Sequence, residues 1–256
     1  MTKVVVIDAG HGGKDPGAIG NNLQEKMIAL HIATEAAKRL EQLYDGVKCI
    51  LTRSTDVFLE LKERTDLANK AKADVLVSVH CNAGGGTGGF ESFRYTSASA
   101  ASSAFQDALH TEIMSRLNPF GVNDRGVKAA NLHMCRESKM PAVLTENLFI
   151  DVLADANRLK RNDVIEAIIA GHVAGVAKYL GLKVRLVNVT NYGEDKDNLT
   201  LTNYQMQVLV KTLNDLLKSG VITDKTWVEK AEQGLLSVSE LAWLILIILT
   251  RANINQ

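Results

Sequence analysis

Two histidines and two glutamates of this sequence are placed where they could bind a metal ion and hydrolyse a bond. His11 and His80 each follow a short run of β-branched apolar residues, and Glu146 follows a third such run. Glu25 lies in the first turn of a segment with helical periodicity. Two imidazoles and one carboxylate, with a fourth position open, make up a common catalytic zinc site. The remaining carboxylate is then available to activate a zinc-bound water, whose pKa the metal lowers towards about 7.

Taken singly, each of these residues also has a purely structural explanation. A histidine between glycines, such as His11, is often an ordinary loop residue, and a carboxylate near a helix N-terminus, such as Glu25, is favoured by the helix dipole. The sequence has no His-Glu-x-x-His motif, so it lacks the usual helical pattern of zinc hydrolases. A metal site therefore requires that the elements carrying the four residues bring them together.

Short apolar runs alternate along the chain with longer segments of helical periodicity. The runs predict strands at residues 4–7, 47–52, 74–82 and 141–146, and an alternation of apolar and polar residues predicts a half-exposed strand at residues 90–95. The periodic segments predict helices at residues 23–43, 59–72, 97–117 and 154–180. The breakers between residues 118 and 131 predict a loop.

This alternation predicts an α/β fold with a largely parallel, twisted sheet flanked by helices. The carboxyl ends of parallel strands meet at one edge of a sheet, which is where ligands of such folds bind. We therefore expect His11, His80 and Glu146 at one edge, with Glu25 beside them.

The α/β pattern ends near residue 182, which predicts a first domain over residues 1–182. Residues 183–200 are polar and aperiodic, so they predict a linker, with a short strand at Arg185–Val189. Residues 201–256 predict a small all-α domain. Its last helix contains the apolar run Leu241–Leu249, which is too short to span a bilayer. A helix that is apolar all round needs a covering surface, so an oligomer interface is one explanation.

Charge and cysteine content exclude several classes of protein. The formal net charge is zero, which gives no electrostatic reason to expect a nucleic-acid partner. The three cysteines are widely separated, which predicts neither a disulfide framework nor a cysteine-based zinc site. The first residues carry too short an apolar run for a secretory signal, so we expect the protein to be made in the cytoplasm.

Several motifs, taken in order along the chain, resemble those of a known enzyme family. They are Asp8-Ala9-Gly10-His11-Gly12-Gly13, Glu25, Ser78-Val79-His80-Cys81-Asn82-Ala83 and Pro141-Ala142-Val143-Leu144-Thr145-Glu146. Shorter signatures are Leu51-Thr52-Arg53, Leu61-x-x-Arg64 and Asn123-Asp124-Arg125-Gly126-Val127-Lys128. Together they resemble the zinc-dependent N-acetylmuramoyl-L-alanine amidases of the Amidase_3 type, over residues 3–182.

By this resemblance, His11, Glu25 and His80 are the ligands of one zinc ion, and Glu146 is the catalytic carboxylate. The implied reaction is hydrolysis of the amide between N-acetylmuramic acid and L-alanine in bacterial peptidoglycan, with Glu146 as general base on a zinc-bound water. The family usually has a glycine soon after this glutamate, whereas this chain has Asn147-Leu148. We expect this departure to reshape the pocket floor and to affect substrate detail more than mechanism.

Four further residues are expected to bind the substrate: Asn82, Arg125, Lys128 and His133. Arg125 and Lys128 carry the charge needed to bind carboxylates of the stem peptide, although a solvated loop explains them equally well. His133 lies shortly before the predicted strand that ends in Glu146. The remaining histidines have no such placement and are expected to be surface or core residues.

Two other functions remain open from the sequence. One is a zinc peptidase that cuts within the stem peptide, and the other is a non-catalytic wall-binding protein. A wall hydrolase without a secretion signal resembles a phage endolysin of a Gram-positive host, or a mother-cell lysis enzyme, which acts on the wall after release. Residues 201–256 are then expected either to bind the cell wall, through a secondary wall polymer for example, or to form a homodimer.

Overall fold

The structure of the protein is a computed structural model that describes residues 2–185, 201 and 203–252. The chain forms two compact units, Met1–Val187 and Asn188–Gln256. The first unit contains the sheet, and the described residues of the second form helices.

In the first unit the strands are β1 (Lys3–Ala9), β2 (Ile19–Gly20), β3 (Leu23–Gln24), β4 (Tyr44–Asp45), β5 (Val47–Leu51), β6 (Val75–Asn82), β7 (Phe90–Arg94), β8 (Asp124–Ala129), β9 (Ala142–Phe149) and β10 (Lys183–Val184). The helices are α1 (Glu25–Leu43), α2 (Leu61–Lys70), α3 (Ala100–Leu117), α4 (His133–Arg136), α5 (Leu153–Leu159) and α6 (Asn162–Leu180).

The central sheet contains six strands in the order β5-β1-β6-β9-β7-β8. Strands β5, β1, β6 and β9 run parallel to one another. Strand β7 is antiparallel to β9, and β8 runs parallel to β7 at the edge. The predicted α/β fold, with a largely parallel sheet flanked by helices, is confirmed. The carboxyl ends of β1, β6 and β9 therefore lie side by side.

The central strands are buried on both faces, which explains why their apolar runs are continuous rather than alternating. On one face, Val5 and Val77 belong to a core that includes residues of α1, α3 and α6. On the other face, Val6 and Leu76 pack with Ala68 of α2. The strand ends that carry the candidate site are thus fixed by a packed core below them.

Strand β8 corrects one expectation from the sequence. Residues 118–131 were predicted to be a loop, but Asp124–Ala129 pairs with β7. This edge strand is mostly polar and contains Gly126 at a φ of 81°, so it has no apolar run to reveal it. Its backbone pairing places Arg125 and Lys128, two residues expected to bind the substrate, next to β7.

The helix predicted at residues 154–180 is divided into two helices, α5 and α6. Leu159 and Val164 are buried on either side of the break, so the apolar stripe continues across it. Periodicity alone therefore did not reveal the interruption.

The predicted linker, residues 183–200, lies mostly outside the described residues. Strand β10, at its start, pairs antiparallel with β4, so the first unit includes these residues. Of the short strand predicted at residues 185–189, only Arg185 is described, and it follows β10.

The second unit contains α7 (Asn203–Lys218), α8 (Thr226–Glu232) and α9 (Val238–Ala252). Its core consists of buried apolar side chains, namely Leu213, Ile222, Val228, Ala231 and Leu244. Trp243 and Ile245 of α9 remain exposed, at 58% and 49% of their surface. Within the described ranges, no helix combines the length and the apolar character that crossing a membrane requires.

Candidate metal centre and active site

The three expected metal ligands lie together at the edge of the sheet. His11 follows β1, His80 lies near the end of β6, and Glu25 is the first residue of α1. One donor atom of each residue lies within 4.8 Å of the other two. Because β1 and β6 are adjacent and parallel, their carboxyl ends bring the two imidazoles to the same place.

The donor atoms point towards a common centre. Glu25 Oε1 lies 3.1 Å from His11 Nε2 and 2.9 Å from His80 Nδ1. The two imidazole rings are 4.9 Å apart and nearly perpendicular. Donors that lie 2.0–2.2 Å from a tetrahedral zinc ion are about 3.4 Å from one another. The two oxygen–nitrogen distances are close to this spacing, so a donor set of two nitrogens and one oxygen is arranged as a zinc ion requires.

The electrostatics of the cluster favour a cation at its centre. Burial alone raises the pKa of Glu25, but hydrogen bonds to His11 and His80 outweigh it and hold that pKa well below its ordinary range. Burial alone lowers the pKa of His11, but Glu25 and Asp15 outweigh it and raise that pKa to about 9. Glu25 and Asp15 thus stabilise positive charge on the His11 ring, and a bound metal ion would supply that positive charge in place of the proton.

Asp15 orients the first ligand, and the sequence motifs did not single it out. Its Oδ2 lies 2.8 Å from His11 Nδ1, and its Oδ1 accepts a hydrogen bond from the Gly17 backbone. A carboxylate on the second nitrogen of a ligand histidine fixes the tautomer and the ring orientation. The i, i+4 spacing of His11 and Asp15 within the glycine loop was the available signal.

Two glycines of this loop are required by close contacts. A Cβ on Gly10 would lie 2.3 Å from His80 Cε1, which is inside van der Waals contact. A Cβ on Gly17 would lie 2.5 Å from His11 Cδ2, and Gly17 also has a φ of +65°. The absence of side chains at these positions therefore makes room for both imidazole rings.

Two buried arginines hold the backbone that carries His11. Arg53 Nη2 donates to the Gly10 carbonyl at 2.7 Å, and Arg64 Nη2 donates to the His11 carbonyl at 2.7 Å. Arg64 also forms an ion pair with the buried Asp8, at 3.1 Å. These contacts explain the motif residues Arg53 and Arg64, which hold the loop that carries His11.

Glu146 lies on β9, beside the candidate metal centre. It is directly opposite His80 of β6 in the strand register. Its Oε2 is buried and has no hydrogen-bond partner among the described residues. Burial is the main cause that raises the pKa of Glu146, to about 7. A carboxylate with this pKa is suited to accept and return a proton near neutral pH.

Three of the expected substrate-binding residues meet at a carboxylate that the motifs did not predict. Glu91 of β7 is buried and accepts hydrogen bonds from Asn82 Nδ2, Arg125 Nε and Lys128 Nζ. Glu91 is also directly opposite Glu146 in the register of β7 and β9. The sequence predicted a half-exposed strand here, so nothing in it indicated that Glu91 is buried and paired. The partners of Glu91 come from β6 and β8, which are distant in the sequence.

The fourth expected substrate-binding residue is placed elsewhere. His133 begins α4, and its Nε2 lies 3.3 Å from the hydroxyl of Thr65 in α2. Among the hydrogen bonds of the described residues, it therefore joins two helices rather than the group around Glu91.

Asn147 and Leu148 are both fully buried, so they do not line an open pocket floor. The Asn147 amide donates to the carbonyl of His80 at 2.9 Å and to the hydroxyl of Thr145 at 3.1 Å. Leu148 has a φ of 68°, a left-handed conformation that favours glycine. This departure from the family pattern therefore acts through the backbone beside Glu146.

A second group of residues has the connectivity of a hydrolytic triad without its accessibility. His110 Nδ1 lies 2.9 Å from Ser92 Oγ, and His110 Nε2 lies 3.0 Å from Asp124 Oδ1. Ser92 is fully buried, so its hydroxyl cannot meet a substrate. The group instead joins β7, α3 and β8, and it holds the beginning of β8 in place.

Known proteins share this sequence pattern. The family described as N-acetylmuramoyl-L-alanine amidase, Amidase_3, matches residues 5–178. The sporulation-specific N-acetylmuramoyl-L-alanine amidase of Bacillus subtilis (strain 168) is 45% identical over 179 residues, which are 70% of this chain and 69% of that protein. The endolysin of Bacillus phage SPP1 is 46% identical over 198 residues, which are 77% of this chain and 73% of that protein.

Solved structures share the fold. The catalytic domain of the amidase CwlV from Bacillus (Paenibacillus) polymyxa var. colistinus has a TM-score of 0.66 at 37% identity, and the match covers 71% of this chain and all (100%) of that one. An amidase from Clostridium difficile 630 has a TM-score of 0.67 at 33% identity, covering 70% and 97%. From its sequence match and its fold together, the chain belongs to the N-acetylmuramoyl-L-alanine amidase family.

Proposed function

We propose that this amidase cleaves the amide between N-acetylmuramic acid and L-alanine by a zinc-dependent mechanism in which Glu146 is the general base. The observation that carries the proposal is the placement of Glu146. Glu146 is half-buried, has a buried, unpartnered Oε2 and a pKa raised to about 7, and lies directly opposite His80.

His11, Glu25 and His80 are the residues that would hold the zinc ion. The donor spacing and the demand for positive charge between them support this assignment. A bound zinc ion supplies Lewis-acid polarisation of the scissile carbonyl and lowers the pKa of the attacking water. Asp15 keeps the His11 ring in the orientation that directs Nε2 to the centre.

Glu146 moves the protons of the reaction. Its ionised carboxylate accepts a proton from the attacking water, and the same carboxyl group then donates that proton to the leaving nitrogen of L-alanine. A pKa of about 7 suits both steps, because the group is ionised in part and acidic in part near neutral pH.

The direct test is the substitution Glu146→Gln, with Glu137→Gln as a matched control on an exposed carboxylate of the same unit. We expect Glu146→Gln to lower turnover about 100-fold or more while zinc content stays unchanged, since general acid–base catalysis contributes about 10²–10⁴-fold. Glu137→Gln is expected to keep the parent rate. A Glu146→Gln variant that digests walls at the parent rate contradicts the assignment.

The digestion products distinguish the three functions that the sequence left open. Mass spectrometry of digested peptidoglycan is expected to find new L-alanine amino termini and intact glycan strands. New termini within the stem peptide would indicate a peptidase instead. Binding to walls without any new terminus would indicate a non-catalytic wall-binding protein.

For the second unit we propose cell-wall binding, with homodimer formation as the alternative. The exposed Trp243 and Ile245 of α9 support a binding surface. The full-length Glu146→Gln protein can be sedimented with walls, before and after acid extraction of their secondary polymers, and its mass in solution can be measured by analytical ultracentrifugation. Trp243→Ala is expected to weaken wall binding at an unchanged mass. If Trp243→Ala instead converts a dimer to a monomer and leaves wall binding unchanged, homodimer formation is the favoured role.

The similarity to both an endolysin and a sporulation-specific amidase supports a lytic role against a Gram-positive wall. We propose that the enzyme reaches this wall after release from the cytoplasm. The test is to add the purified enzyme to isolated or permeabilised walls and to intact cells. We expect cleavage from the inner side of the wall only in the isolated or permeabilised walls, where the enzyme can reach that side.

A further inference from the structure

A positively charged group lies beside Glu146 and is built on a buried carboxylate. Glu91 is 3% exposed and accepts hydrogen bonds from Arg125 Nε, at 3.0 Å, and from Lys128 Nζ. Two cations thus share one anion, which leaves a surplus of one positive charge. Neither cation is buried, so this surplus charge faces the solvent at the edge of the sheet.

The orientation of Arg125 is fixed by contacts on several sides. Its guanidinium lies 4.7 Å from the ring centroid of the buried Phe149, and its Nη1 lies 3.5 Å from the Gly88 carbonyl. Together with the ion pair to Glu91, these contacts order the side chain before any ligand arrives. A pre-ordered guanidinium loses less entropy on binding than a free one.

Both cations keep donors available for a ligand. Among the described residues, Arg125 Nη2 has no hydrogen-bond partner, and Lys128 Nζ donates only to Glu91. A planar guanidinium beside an ammonium matches a carboxylate, which accepts several charge-assisted hydrogen bonds at once.

The register of the sheet orients this group relative to the scissile bond. Glu146 lies between His80, on one neighbouring strand, and Glu91, on the other. The carboxyl group that donates a proton to the leaving nitrogen is adjacent to the leaving peptide. The candidate metal ligands occupy the β1 and β6 side, so we place the leaving peptide on the side of β7 and β8.

Distance agrees with one residue of the peptide. β8 is two strands from β9, about 9.6 Å at a spacing of about 4.8 Å between adjacent strands, but the side chains of Arg125 and Lys128 reach back to Glu91 on the intervening β7. Two residues of extended peptide span about 7 Å, so the second residue of the leaving peptide can reach these cations. In peptidoglycan the second stem residue is a D-glutamate joined through its side-chain carboxyl, so it keeps a free α-carboxylate unless the cell converts it to the amide. We propose that Arg125 and Lys128, held by Glu91, bind this α-carboxylate, a role that rests on the proposed amidase function.

The experiment compares two synthetic muramyl tripeptides that differ only in this group, one with the free α-carboxylate and one with the carboxamide. We expect the wild-type enzyme to have a kcat/KM at least about tenfold higher for the carboxylate form, since charge-assisted hydrogen bonds are stronger than those to a neutral amide. Arg125→Gln and Lys128→Gln are expected to lower the value for the carboxylate form and to leave the carboxamide form within about twofold.

Two further variants separate a binding role from a general effect of charge or folding. Lys178→Gln removes an exposed cation on α6 and is expected to preserve the preference for the carboxylate. Arg125→Lys keeps the charge without the planar fork and is expected to restore part of the preference. The free product peptide with the α-carboxylate is expected to inhibit the wild-type enzyme more strongly than the product peptide with the carboxamide. The two inhibition constants measure binding independently of turnover.

The outcomes distinguish this subsite from the proposed function. Equal cleavage of both tripeptides by the wild type overturns the subsite while the amidase function stands. An equal loss on both tripeptides in Arg125→Gln and Lys128→Gln also overturns it. Failure to release an L-alanine amino terminus from either tripeptide contradicts the amidase function itself.

Discussion

Glu146 and Glu91 lie directly opposite each other on β9 and β7, yet Arg125 and Lys128 pair with Glu91. Neighbouring carboxylates in different surroundings are suited to different roles. Arg125 and Lys128 neutralise the charge of Glu91, so Glu91 is suited to position these two cations. Glu146 keeps an unpartnered oxygen and a raised pKa, so it remains available for proton transfer. Within one strand pair, one carboxylate is thus paired with cations and the other, the proposed general base, has an unpartnered oxygen.

The raised pKa of Glu146 predicts the acid side of the pH–rate profile. Because the base must be ionised, kcat/KM is expected to fall about tenfold per pH unit below the pKa of about 7. The measurement is kcat/KM on a soluble muramyl peptide between pH 5 and pH 9, with zinc content determined at each pH. The residual activity of Glu146→Gln should lack this limb. A wild-type profile that stays flat down to pH 5 contradicts the role of Glu146.

The same raised pKa predicts that Glu146 destabilises the metal-free protein at alkaline pH. The folded pKa of about 7 lies above the ordinary value of 4.5, so the folded state binds the proton more tightly than the unfolded state. The free-energy cost of ionising Glu146 in the folded protein is therefore absent below pH 4.5, grows between pH 4.5 and pH 7, and is complete above pH 7. Glu146→Gln is expected to raise the free energy of unfolding by about 1–3 kcal/mol at pH 8.

Urea denaturation of both proteins in a chelator, at pH 4 and at pH 8, measures this difference. The stabilisation should be present at pH 8 and should disappear at pH 4. An equal difference at both pH values would mean that packing, rather than ionisation, distinguishes the two side chains.

Asp15 is expected to contribute to metal affinity without binding the metal. Asp15→Asn weakens the hydrogen bond that holds the His11 ring, so the zinc dissociation constant should rise about 10- to 100-fold. A chelator competition titration measures this constant, and Asp163→Asn, an exposed substitution on α6, is the control. An unchanged zinc affinity in Asp15→Asn would exclude this orienting role.

Gly10 is expected to be intolerant of the smallest side chain. The Cβ of Gly10→Ala would lie 2.3 Å from His80 Cε1, so the imidazole has to move away from Glu25. We expect the loss of zinc binding and a fall in turnover of about 100-fold or more, as for a misplaced catalytic group. Gly46→Ala, which meets nothing within 4 Å, should lose some stability through its positive φ but keep zinc. Normal zinc content in Gly10→Ala would contradict the steric explanation.

The site residues could be predicted from local sequence patterns because the direction of the strands largely determines where the residues at their ends lie. His11, His80 and Glu146 each end a continuous apolar run, and such runs are typical of central parallel strands. Once the strands are parallel and adjacent, their carboxyl ends meet whatever the details of packing. The structure accordingly brings His11, Glu25 and His80 together and places Glu146 opposite His80.

The group around Glu91 depended on tertiary structure, for a physical reason. Strand β8 is short, polar and at the edge, so its stability comes from backbone pairing with β7 rather than from an apolar pattern. Burial of Glu91 likewise comes from Asn82, Arg125 and Lys128, which reach it from two other strands. Sequence alone determined which residues could perform hydrolysis, since that is a matter of residue type and strand ends. Tertiary structure decided which charges meet, because ion pairing depends on side chains that are distant in the chain and adjacent only in the folded sheet.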